Sequence, residues 1–145
     1  MNANVKELLE KAARNLGCEL KQLGNEGNFF AMVVPVKASR KQSVMAVVVK
    51  GEDYIRFFSP YGTAAILNLE VAKNLLKSNF SMTGVANAIV DFDLFDGLGT
   101  APRLVVVGEQ LIATAEIEEI IDKIKRVAES ADAYEDAITK GGDRL

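Results

Sequence analysis

The sequence contains no histidine and no tryptophan, a single cysteine and three prolines. Histidine is the side chain that titrates near neutral pH and the commonest metal ligand. Its absence excludes Ser-His-Asp and Cys-His catalysis and every His-containing zinc site. One cysteine, Cys18, excludes an internal disulfide, a four-cysteine metal site and a CxxC redox pair, and fits a reducing compartment. No apolar run approaches the ~20 residues of a membrane span. Lys6 and Glu7 break up the N-terminal stretch, so the apolar core of a signal peptide is missing. A cytoplasmic protein with no membrane partner is expected. Phosphate loops are lacking as well: Gly97-Leu98-Gly99 has no third glycine and opens no helix, and no GxxxxGK[ST] occurs. No cofactor, metal or catalytic residue is therefore assigned.

What remains is an ordinary globular composition, 49% hydrophobic and 26% charged over 145 residues, the size of one domain. A single domain over 1–145 is expected. The net charge of −3 is uneven. Residues 1–62 carry 9 basic and 6 acidic side chains, residues 63–145 carry 8 and 14. A dedicated nucleic-acid binder is usually basic throughout, so nucleic acid is not the expected partner.

Apolar periodicity orders the chain. Val5, Leu8, Leu9, Ala12, Ala13 and Leu16 form one helical stripe that Gly17 stops. Strands are predicted over 29–36, 44–49 and 54–58, joined by the polar stretch 37–43 and the turn 50–53. Pro35 cannot donate a ladder hydrogen bond, so its strand lies at an edge or is bulged. A second helix spans about 68–79, with Asn68 as its N-cap. Strands follow at 89–95 and 103–107. The last helix carries the stripe Ile117, Ile120, Ile121, Ile124, Val127, Ala128, Ala131, Tyr134 and Ile138, with Thr114 as a natural N-cap. The reading is an α+β domain, order α-β-β-β-α-β-β-α, an antiparallel sheet with packed helices.

The strands at 29–36 and 44–49 are apolar on both faces, although a sheet with one wet face should alternate. One face meets the helices. The other needs cover from a helix of the same chain, a second subunit or a partner. Phe30, Met32, Met45 and Phe57 are the candidates for holding a partner. Leu75, Leu76 and Phe80 are the candidates for a subunit contact. Asp91, Asp93 and Asp96 fail the EF-hand pattern, because Phe95 stands where a third ligand belongs. Their spacing is explained by the outer face of a strand plus a turn. Asp91 and Asp93 are still the best residues for the rival reading, a small-molecule binder or a carboxylate-dependent enzyme. Lys37, Arg40, Lys41, Lys50 and Arg56, beside Tyr54, Phe57 and Phe58, offer a third idea, a single-strand nucleic-acid face, which needs exposed aromatics.

Four stretches carry a family likeness: Tyr54–Pro60, Leu75-Leu76-Lys77-Ser78-Asn79, Gly84–Ile89, and Ile124–Glu135 with its Ala131-Asp132-Ala133-Tyr134-Glu135 ending. Together with the element order they resemble the type III secretion chaperone-like fold, nearest to the YbjN family. The resemblance implies a non-enzymatic homodimer that holds a segment of another protein. It supplies no catalytic residues.

Overall fold

The computed structural model describes residues 3–37, 39–48, 51, 53–91 and 102–139. Its elements are α1 (Ala3–Asn15), β1 (Lys21–Gln22), β2 (Phe29–Lys37), β3 (Arg40–Val48), β4 (Tyr54–Thr63), a short 3-10 turn (Ala64–Ile66), α2 (Leu69–Ser81), β5 (Val85–Asp91), β6 (Pro102–Leu111) and α3 (Ile117–Thr139). The six strands form one sheet in the order β1-β2-β3-β4-β6-β5, antiparallel throughout. The α+β class and the expected order hold, with β1 added.

The core lies on one face of the sheet. Phe30, Met32 and Val34 of β2, Val44, Ala46 and Val48 of β3, Ile55 and Phe57 of β4, and Leu104 and Val106 of β6 point to it. Val5, Leu9 and Ala12 of α1 and Ile120, Ile124, Val127, Ala128 and Ala131 of α3 close over them. Both helical stripes read from the sequence are thus buried. Burying a Leu, Ile or Phe side chain contributes about 1.5–3 kcal/mol, so these residues dominate the stability of the domain.

The end of α1 has a defined geometry. Gly17 takes a left-handed φ of 76°. The Cys18 amide donates to Ala13 O at 2.9 Å and the Gly17 amide to Arg14 O at 3.2 Å, the two bonds of a Schellman cap. No atom would crowd an added Cβ. The whole effect of Gly17→Ala is therefore the backbone strain, about 1 kcal/mol. A urea titration should show a lower midpoint with an unchanged slope.

Several boundaries differ from expectation. β3 starts at Arg40, because Lys37 pairs with Arg40 in a tight hairpin and the polar stretch becomes strand. β4 runs on to Thr63, because Pro60 and Gly62 find partners on β6 across a register shift. Pro35 also lies at a register shift, as its missing N–H requires. β5 covers 85–91 where 89–95 was predicted; residues 92–95 lie outside the described residues. Asn68 caps α2, accepting from the Val71 amide at 2.9 Å. α3 begins at Ile117, two residues beyond the start that a Thr114 cap would set.

Candidate protein-binding surfaces

The second face of the sheet carries a smaller cluster. Met45, Phe58 and Val105 are buried there, with Phe29, Ala31, Val47, Ala88, Val90 and Val107 packed against them. Every described member comes from a strand; the described helix residues pack in the other cluster. At the β2 margin this face opens into a groove of about 620 Å³. Its floor includes Ala31, Val33, Ser43 and Pro60. The chain leaving α1, Gly17 to Glu19, forms a wall. Lys21, Lys41 and Arg103 stand around it. β1 pairs only with Phe30 and Ala31 of β2, so the rest of this edge lacks a strand partner among the described residues.

The four residues expected to hold a partner divide between the faces. Phe30, Met32 and Phe57 point to the helices and Met45 to the second face. Met32 and Met45 line the groove, but they are only 2% and 4% exposed. All four are buried core residues in this structure. The reason is parity: successive strand side chains point to opposite faces, and both faces here are apolar. The residue missed was Val33, 51% exposed beside Met32.

A second exposed apolar surface lies at the opposite edge, where β5 ends the sheet and α2 packs beside it. Leu69, Leu76 and Phe80 are 72%, 70% and 97% exposed. They fall at i, i+7 and i+11, one stripe of α2. Ile89 of β5 is exposed as well. Leu76 and Phe80, expected at a subunit contact, are thus on the surface. Leu75 is buried in the core of its own chain, one residue around the helix, and is corrected to a core residue.

A polar cluster holds α2 to the body. Asn79 Oδ1 accepts from the Asn87 amide at 2.7 Å and from Asn87 Nδ2 at 3.0 Å. Tyr61 Oη donates to Asn87 Oδ1 at 2.8 Å. Asn87 Nδ2 donates to Tyr134 Oη at 3.2 Å, and Ser78 bonds Tyr134 Oη. The rings of Tyr61 and Tyr134 stack, centroids 5.1 Å apart. Burial pushes the Tyr61 hydroxyl well above its usual range, so it stays a donor. Asn79, Asn87 and Tyr134 all come from stretches that carried the family likeness. Their convergence assigns those stretches a structural role. Asn87→Ala removes the acceptor of Tyr61 Oη and the side-chain donor to Tyr134 Oη in a half-buried site, while Asn79 Oδ1 keeps the backbone amide of residue 87. A loss of about 2–3 kcal/mol is expected, read as a lower urea midpoint.

The remaining candidates separate. Asp91 is exposed at the end of β5; Asp93 and Asp96 lie outside the described residues. Among the described residues no three Cys, Asp or Glu side chains gather as metal ligands. Burial raises the Cys18 thiol, away from a reactive thiolate. In the basic hairpin, Arg40 is bound by Asp132 at 2.8 Å and Arg56 by Glu109 at 3.6 Å. Lys50 is outside the described residues. Phe57 and Phe58 are buried, so neither offers a face for base stacking. Of the described helices, none is long and apolar enough to cross a membrane.

No protein-family model matches the sequence, and no curated protein matches it at the sequence level. Solved structures do match the fold. The ExsC–ExsE complex aligns with a TM-score of 0.63 at 14% identity, over 94% of this chain and 96% of that one. The chain has the type III secretion chaperone-like fold. YbjN from E. coli, a candidate transcription regulator, aligns with a TM-score of 0.59 at 14% identity, over 93% and 92% of the two chains. The secretion chaperone-like fold therefore spans nearly the whole chain. Among the described residues, the groove and the α2 stripe are exposed apolar surfaces at opposite edges of the sheet.

Proposed function

We propose that this protein is a non-catalytic protein-binding module, a chaperone or regulatory adaptor, that acts as a homodimer. One observation carries the reading: among the described residues, Leu69, Leu76 and Phe80 form one exposed apolar stripe along α2. A lone surface apolar residue is ordinary, but a contiguous group marks an interaction site. A second copy is the natural cover. Two α2 helices meeting antiparallel about a twofold axis bring Leu69 of each copy to Phe80 of the other, over a stripe of about 16 Å. The groove at the β1–β2 edge then stays open on both copies and takes a segment of a partner protein. The likeness to the ExsC–ExsE complex supports a protein partner.

Light scattering on the purified chain across a dilution series tests the assembly. The expected species is twice 15.7 kDa, about 31 kDa. A constant 15.7 kDa at every concentration would overturn the homodimer.

A further inference from the structure

The groove is apolar on its floor and basic on its rim, and this combination specifies an occupant. Lys21, Lys41 and Arg103 border it, against a single carboxylate, Glu19, among the described lining residues. The chain as a whole is acidic, at −3. Three arginines elsewhere are matched, Arg40 with Asp132, Arg56 with Glu109 and Arg126 with Asp122, while Arg14 is not among the described ion pairs. Lys21, Lys41 and Arg103 have no carboxylate partner among the described residues. Three cations left unmatched around an apolar floor are complementary to carboxylates brought by something else.

The floor sets the shape of that occupant. Ala31, Val33 and Pro35 are alternate residues of one strand, so they recur at about 6.8 Å. An extended chain has the same repeat, whereas a helix does not. The β2 edge beyond β1 is also without a strand partner among the described residues. Resting on the protein-binding reading above, we infer that the groove takes an extended protein segment in which an aliphatic side chain is flanked by aspartate or glutamate. The aliphatic side chain covers Ala31 and Val33, and its carboxylates meet Lys41, Arg103 and Lys21. The apolar contact supplies affinity. The charges supply selection and rate.

Display of random peptides of about 12 residues, panned on the full chain, tests this. A Lys21→Glu, Lys41→Glu, Arg103→Glu variant is panned in parallel after thermal melting confirms its fold. The wild type should enrich aspartate and glutamate beside Leu, Ile or Val, and the variant should enrich lysine and arginine. A selected peptide should also bind the wild type at least about tenfold more weakly at ~0.5 M than at ~0.05 M salt, a readout that needs no variant. Peptides without acidic enrichment, bound alike by both proteins and lost with Val33→Asp, would overturn the acidic segment and leave the protein-binding groove standing. No enrichment at all would overturn both. Displacement of a selected acidic peptide by oligo-dT at ~0.15 M salt would overturn the inference in favour of nucleic acid.

Discussion

A Leu76→Glu, Phe80→Glu double variant is expected to scatter as a 15.7 kDa monomer with an unchanged circular-dichroism spectrum. Both side chains stand clear of the chain's own core, at 70% and 97% exposure, so the substitution removes no internal packing. In a twofold assembly each position occurs twice. Four apolar side chains lose their burial, roughly 6–12 kcal/mol in all. A micromolar dimer rests on about 8 kcal/mol. The four carboxylates that replace them also face one another across the axis and repel. A dimer that survives this variant would place the subunit contact elsewhere. A Leu75→Glu control separates contact from folding: Leu75 belongs to the core, so that variant is expected to unfold and not merely to dissociate.

The two outcomes differ because α2 is held to its own subunit by little apolar surface. Leu75 is its buried residue, and Val71 packs in part. Much of the remaining attachment is the polar cluster of Asn79, Asn87, Ser78 and Tyr134. Hydrogen bonds fix geometry more than they add net stability. The cluster therefore orients α2 with Leu76 and Phe80 outward, and an α2 stripe oriented in this way suits a contact whose register matters.

Helices were the most legible part of this chain, for a physical reason. Each of α1 and α3 lies on the core with one face, so its apolar residues repeat at the helical period and declare themselves. β1 could not be read, because Lys21-Gln22 has no apolar signal and is strand only through its pairing with Phe30 and Ala31. The start of β5 was missed because the alternation around Val90 stands out in the sequence, whereas Asn87 looks like loop. Asn87 is a strand residue whose amide and side chain both bond Asn79, a contact between elements that no local pattern announces. Leu76 and Phe80 were legible as surface residues, but the burial of Leu75 beside them was not. The strand order, with β6 between β4 and β5, is likewise set by tertiary pairing.

The hardest thing to read was which face of β2 belongs to the core, and one experiment on adjacent residues resolves it. Met32→Asp is expected to unfold the protein, while Val33→Asp is expected to leave it folded and abolish peptide capture in the groove. Met32 is 2% exposed under the helices. Removing its side chain from a packed core costs about 2–5 kcal/mol, and a carboxylate buried there without a partner adds several more. The sum reaches the 5–15 kcal/mol that holds a typical domain together. Val33 is one residue along the strand and 51% exposed, so its replacement costs little in stability. It also sets a negative charge on the floor of a groove meant for carboxylates and apolar groups, which weakens capture twice over. Thermal melting followed by peptide binding distinguishes the two. If Met32→Asp melts like the wild type, the helix-covered face has been assigned to the wrong parity of β2. If Val33→Asp folds and still binds, the partner segment does not use the groove.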